Sequence, residues 1–182
     1  MSCTYYSKTY NTRVAIVSGC TSISFSKVQF LSCYSTEIGG SVRINLEVPV
    51  TISDTNFIDS HTTKYVGGMY CKSSRNDLSY TCFCRCLGDK YVDTTSYNTY
   101  FAGYISTFSS TQTTSVKECS IFLCPGTFYK RDTTLYLKTT TSTVNLINLS
   151  NNQARREIIH FSQGSVQSQN SFLTLADNTP CE

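Results

Sequence analysis

The chain has 182 residues, enough to enclose one sizeable core. Only 15% are charged, and 13 Tyr and 10 Phe stand against no Trp, in a background rich in Ser and Thr. That mix favours strands over helices, and a scattered net charge of +3 offers no basic patch and so no nucleic-acid partner.

Residues 1–21 are polar and Tyr-rich without a clear period, and are expected to form an irregular cap or an incomplete first coil. Within them only Val14–Val17 reads as a short buried strand. The basic start and long apolar core of a secretory leader are lacking, and no later run is apolar enough to span a membrane. The expectation is a cytoplasmic protein or a piece of a longer one.

From residue 22 to 178 one segment recurs. Its first copies are FSKVQFLSCYSTEIGGSVRI (residues 25–44) and ISDTNFIDSHTTKYVGGMY (residues 52–70). With the Phe as origin, the anchors are Phe30, Phe57, Phe83, Ile121, Leu149 and Leu175, at steps of 27, 26, 38, 28 and 26. Five residues earlier stand Phe25, Ile52, Leu78, Val116 and Val144; two earlier stand Val28, Thr55, Thr81, Cys119, Ile147 and Leu173. These are apolar or small, whereas the residue just before each anchor is mostly polar, as in a strand with one buried face. Three residues after the anchors come Cys33, Ser60, Cys86, Cys124, Asn152 and Asn178, small or polar and suited to a tight bend.

A second strand follows each bend, led by Gly39-Gly40 and then Gly67-Gly68. Later copies read Ala102-Gly103-Tyr104-Ile105, Leu135-Tyr136-Leu137 and Ile158-Ile159-His160-Phe161. Gly pairs suit a positive φ or a close backbone approach. A steady period of about 27 residues predicts one unit per turn of a solenoid. The competing architecture is a β-sandwich whose strands happen to recur.

Paired FxxN and GGA(I/L/V) motifs mark the polymorphic outer-membrane-protein family, which this chain resembles. The relevant stretches are GGSV at Gly39, GGMY at Gly67, FLSC at Phe30, FIDS at Phe57 and FCRC at Phe83. LSNN at Leu149 and LADN at Leu175 keep the Asn and lose the Phe. Similar β-helix repeats occur in large surface proteins of some protists. The resemblance implies an all-β, single-stranded, right-handed parallel β-helix of the pectin-lyase-like class. It would have about six coils over residues 22–178, with 179–182 as a tail. It also implies an extracellular or cell-surface module used in adhesion or display, or a fragment whose remaining coils belong to a longer chain. Its partner would be a carbohydrate or protein surface ligand.

The sharpest chemical cluster is Cys82-Phe83-Cys84-Arg85-Cys86, whose thiols would share one face of a regular strand. Zinc sites need four ligands, and CxC on a strand fits them poorly, so packing or disulfide use is expected and no metal. Thiols stacked in adjacent coils have parallel Cβ vectors, which disfavours bonding. Mostly reduced, buried thiols are expected, with Cys3, Cys82 and Cys181 exposed and able to cross-link. Asp59 and Arg85 each follow an anchor by two places, predicting a surface ion contact between coils.

Asn148 opens an Asn-Leu-Ser sequon at an outward position, a candidate glycosylation site against the alternative of a chance match. The carboxylates are dispersed, and His61 and His160 belong to different parts of the repeat, so no catalytic residue and no cofactor is expected. A carbohydrate-active enzyme on the same scaffold is the competing function.

The 38-residue step holds an insertion, Asp89–Tyr100, expected to loop out of the stack. Asp89, Lys90, Tyr91, Asp93, Tyr97 and Tyr100 are its candidate partner-binding residues, with tyrosines as anchors. The alternative is a loop merely tolerated at a bend. Deleting residues 89–100 is expected to abolish partner binding while leaving circular dichroism unchanged; unaltered binding refutes the role.

Overall fold

The computed structural model describes residues 1–64, 66–88, 101–107, 112–124, 133–138, 141–150, 152, 157–161 and 165–168. Among them the first coil carries β1 (Ser2–Tyr6), β2 (Thr9–Tyr10) and β3 (Val14–Ile16). The second carries β4 (Ser22–Ser26), β5 (Gln29–Leu31), β6 (Tyr34–Ser35) and β7 (Val42–Asn45). The third is β8 (Pro49–Ile58), β9 (His61–Thr62) and β10 (Val66–Ser73); the fourth is β11 (Arg75–Cys84), β12 (Leu87–Gly88) and β13 (Phe101–Thr107). Then follow β14 (Thr113–Phe122), β15 (Thr133–Lys138), β16 (Thr141–Ser150), β17 (Glu157–Phe161) and β18 (Ser165–Ser168).

The strands form three parallel sheets. The first runs β1-β4-β8-β11-β14-β16-β18, with β2 and β5 beside it. The second runs β3-β7-β10-β13-β15-β17, and the third is β6-β9-β12. The fold is therefore a parallel β-solenoid with a repeat of about 27 residues, and not a sandwich. About four turns are formed, fewer than the six expected. No helix among the described residues is long and apolar enough to cross a membrane.

Inward side chains sit five and two places before the anchor, at the anchor, and three places after it. These gaps of three, two and three depart from the strict period of two that a strand imposes. The cause lies in the backbone. All ten non-Gly residues with positive φ among the described residues fall at two offsets. Ser7, Lys27, Asp54, Tyr80, Glu118 and Leu146 lie three before an anchor, and Ser32, Asp59, Arg85 and Leu123 lie two after. Each left-handed residue adds one outward position, so the next side chain returns to the core.

A left-handed non-Gly residue costs roughly 1–2 kcal/mol. Side-chain hydrogen bonds at several of these bends offset part of that. Thr55 Oγ1 donates to the Ser53 carbonyl at 2.8 Å, Thr81 Oγ1 to Ser79 at 3.1 Å and Cys119 Sγ to Lys117 at 3.1 Å, each across the left-handed residue. At the second bend the side chain donates to the anchor carbonyl one coil below. Cys33 Sγ reaches Tyr10 O at 3.4 Å, Cys86 Sγ reaches Phe57 O at 3.2 Å, and Cys124 Sγ reaches Phe83 O at 3.5 Å. Asn152 Nδ2 does the same to Ile121 O at 2.7 Å. Small donors at this offset are thus bend caps.

The core follows these rows. Phe25, Val28, Phe30, Ile52, Phe57, Leu78, Phe83, Val116, Ile121, Val144 and Leu149 are all at most 4% exposed; Leu175 lies outside the described residues. The rings of Phe30 and Phe57 stack at 5.1 Å and those of Phe57 and Phe83 at 4.7 Å. Tyr10 extends this column beneath Phe30 at 5.3 Å, and Tyr5 lies under Phe25 at 4.5 Å. Residues 2–16 thus form strands in register with the second coil, Tyr5 opposite Phe25 and Tyr10 opposite Phe30.

The Gly pairs mark the corner into the second sheet. Gly39 has φ +80°, while a Cβ on Gly40 would lie 2.1 Å from the Gly67 carbonyl oxygen. A Cβ on Gly67 would lie 2.3 Å from the Leu87 nitrogen. Gly103 is not a later copy of that corner: it pairs with Met69, inside the strand. Gly67→Ala is expected to lower stability by more than about 2 kcal/mol through backbone collision. Phe57→Ala should cost about 3–5 kcal/mol through a cavity. Denaturant midpoints measure both.

Candidate functional site

On the outer face of the first sheet, equivalent residues line up in rows, each rung about 4.8 Å from the next. One row reads Thr4, Ser24, Thr51, Asp77, Ser115, Thr143. The next reads Tyr6, Ser26, Ser53, Ser79, Lys117, Asn145. The row just before the anchors reads Thr9, Gln29, Asn56, Cys82, Ser120, Asn148. Between the last two rows runs the line of left-handed residues. It bends the sheet and leaves an open depression of about 350 Å³ lined by Ser7, Lys8, Thr9, Lys27, Gln29, Asp54 and Asn56.

The depression presents two stacked amides, hydroxyls, two ammonium groups and one carboxylate. An exposed aromatic ring stands on either side. Tyr6 is 58% exposed, with Lys27 Nζ 6.0 Å from its ring centroid. Tyr80, 55% exposed, follows Asp54 in the left-handed line. A hydrogen bond to Glu118, with the charges of Glu118 and Asp54, pushes the Tyr80 hydroxyl pKa up, so the ring stays neutral at physiological pH. Amides, hydroxyls and aromatic faces together suit polar, ring-bearing ligands.

Two ion pairs among the described residues lie on the outer face. Arg85 holds Asp59 in a fork, with Nη2–Oδ2 at 2.9 Å, and Arg75 Nε meets Asp77 Oδ2 at 2.8 Å. Both partners of the first pair are left-handed bend residues in consecutive coils. The hydrogen bonds from Arg85 hold the Asp59 carboxyl below its ordinary value. His61 lies in the third sheet with its ring 5.5 Å from Tyr34, and His160 lies in the second sheet.

The cysteines depart from expectation in their facing and exposure. Cys82 and Cys84 face outward and are buried with Phe122 against Ile58, whereas Cys86 lies in the main core. The left-handed Arg85 between Cys84 and Cys86 turns the chain, so Cys86 does not share the face of Cys82 and Cys84. Cys82 is not exposed, at 9%, yet it is disulfide-bonded, as its expected capacity to cross-link allowed. Cys3, expected to be able to cross-link, is half-buried and forms a disulfide with Cys20, Cα–Cα 5.6 Å. Cys20 is not stacked over Cys3 (Ile23 is its rung partner), so the parallel Cβ objection does not apply. Cys33, Cys71, Cys84, Cys86, Cys119 and Cys124 are buried and lie outside any disulfide. Burial pushes the Cys71 thiol up to about 12 and Cys119 to about 11, so both stay protonated and unreactive. Among the described residues no three His, Cys, Asp or Glu side chains converge on a metal position.

Asn148 stands in the outward row opposite Ser120 and is half-buried. Asp89, Lys90, Tyr91, Asp93, Tyr97, Tyr100 and Cys181 lie outside the described residues. The depression was not singled out from the sequence; its only signal there was the polar row before the anchors. No protein-family model matches this chain, and comparison with curated proteins and with solved structures finds no match.

Asp59→Asn tests the bend pair. The folded carboxyl titrates below its unfolded value of about 3.9. The pair's contribution is therefore full above that pH and is lost as pH falls through the depressed pKa. The variant is expected to cost no more than about 1 kcal/mol at neutral pH. That difference should vanish in acid when denaturant midpoints are followed across pH.

Proposed function

We propose that this chain is a non-catalytic surface or secreted β-solenoid module used in adhesion or display. Its contact is with a carbohydrate or a protein surface, through the outer face of the first sheet. One observation carries this reading: the polar depression around Gln29 and Asn56, flanked by the exposed rings of Tyr6 and Tyr80. Hydroxyl-rich ligands are bound by amides that give and accept hydrogen bonds and by aromatic faces that cover sugar C–H groups. The disulfide at Cys3–Cys20 supports an oxidising location.

The paired motifs at Phe30, Phe57, Gly39 and Gly67 support a pectin-lyase-like helix related to polymorphic outer-membrane-protein repeats as the finer classification. Further coils of a longer chain are consistent with this module. The alternative is a carbohydrate-active enzyme on the same scaffold. Two outer-face carboxylates weigh against it, since Asp59 and Asp77 are each held by an arginine, and the depression itself is lined by one carboxylate, Asp54.

Glycan-array binding separates the two. The module predicts retention of a glycan without cleavage, and at least tenfold weaker retention by a Gln29→Ala/Asn56→Ala variant. Release of shortened or unsaturated products on prolonged incubation would establish the enzyme instead.

A further inference from the structure

The stack has an open end. Among the described residues β1 pairs with β4 alone, β2 with β5 alone and β3 with β7 alone. Each therefore carries a strand edge whose outward N–H and C=O groups meet solvent. Such an edge is a template for a further strand, and a second copy of the same chain is the one source of strands always present.

The inner rows change character at this end. The registers of β1 on β4 and of β2 on β5 share one constant step, so Tyr5 lies opposite Phe25, Lys8 opposite Val28 and Tyr10 opposite Phe30. The Gln29 N–H donates to the Lys8 carbonyl at 2.9 Å, which fixes Lys8 on that rung. In the coils above, the described residues at these three offsets are Phe, Ile, Leu, Val, Thr or Cys, and each is at most 4% exposed. In the first coil two of them are half-buried Tyr and the third is an exposed Lys. Tyr5 and Tyr10 keep the ring contacts, at 4.5 Å to Phe25 and 5.3 Å to Phe30, and add hydroxyls that the Phe rings lack. Their own rings meet edge-on at 6.3 Å. Each tyrosine covers the apolar ring above it and offers water a polar tip; a lysine can do the same with its stem and ammonium. Residues 1–21 hold Lys8 and Arg13 and no carboxylate, so the coil itself supplies no counter-charge. The Cys3–Cys20 disulfide joins β1 to the stretch before β4 and holds this coil against the second.

We propose that the first coil is a gate against self-association. It closes the core with Tyr5, Lys8 and Tyr10, so that the open edge of one molecule does not accept the edge of a second copy. Two copies meeting edge to edge about a two-fold axis would each bury the Lys8 ammonium and two tyrosine hydroxyls, with cations and no carboxylate on the facing coil. A buried ammonium without a partner costs more than a few new backbone hydrogen bonds return. A charge at an inward offset is one of the ways in which natural sheets guard their edges, and solenoids need a polar terminal repeat to remain soluble. The result is a module that stays single while its outer faces stay uncovered.

The test is the molecular mass of the intact chain, by light scattering after size exclusion, over a concentration series. Wild type is expected to be monomeric throughout. Tyr5→Phe/Lys8→Val/Tyr10→Phe gives the first coil the residues of the second, and is expected to associate as concentration rises, reaching at least twice the wild-type mass. Lys8→Arg should remain monomeric. Lys27→Val removes the same charge from the outer face of the second coil and should also remain monomeric. Lys8 lines the depression on the first sheet as well, but no glycan enters this measurement, so failure of the glycan reading leaves its outcome unmoved. Lys8→Val alone, at an exposed position, serves if the triple variant loses its circular dichroism spectrum. A folded gate variant that stays monomeric, equal association by Lys27→Val, or association of wild type to the same mass overturns the assignment.

Discussion

One backbone constraint organises this molecule: among the described residues the chain turns left-handed at recurring places without glycine. A strand offers alternate sides only, and a closed coil needs its inward side chains to keep pointing inward as the chain goes round a corner. The left-handed residue solves this by adding one outward position. Its cost recurs along the described stack, and at several bends a hydrogen bond from a Thr, Ser, Cys or Asn next along the inner wall offsets it. Aromatic stacking then fixes the vertical register, because a one-rung error would replace ring-on-ring contacts such as Phe57 on Phe83 with mismatched shapes.

Much of this was legible in the sequence, though not its cause. The inner rows could be read because Phe, Ile, Leu and Val repeat at constant offsets. The left-handed line could not, since its members, Lys27, Asp54, Tyr80, Glu118 and Leu146, share no chemistry. Their conformation is imposed by the coils above and below. The same bend misled the reading of Cys82, Cys84 and Cys86, where a regular strand was assumed through Arg85. The first coil was hidden because Tyr10 replaces Phe and the step to Phe30 is 20 residues. That Cys3 could cross-link was legible, but its partner was hidden because Cys20 belongs to no row of the repeat.

The outer surfaces were the least legible part. Gln29, Asn56 and Lys8 come from three different coils, and each is an unexceptional polar residue in its own segment. Only stacking gathers them, and only the bend at Lys27 and Asp54 gives the surface its concavity. A solenoid converts sequence periodicity into surface periodicity, so a ligand with its own repeat can engage several rungs with the same contact.

The Cys3–Cys20 bond has a mechanical meaning. A stack of parallel coils loaded by pulling on its chain unravels from the end, one rung at a time, because each peeled strand breaks its hydrogen bonds in succession. With the bond in place, tension applied ahead of Cys3 passes through sulfur to Cys20 and bypasses β2 and β3 altogether. The load enters directly at the second coil, where Phe25 and Phe30 are pinned by rings below them. The first coil becomes a ratchet pawl: it carries no tension itself and shields the column behind it from being unzipped.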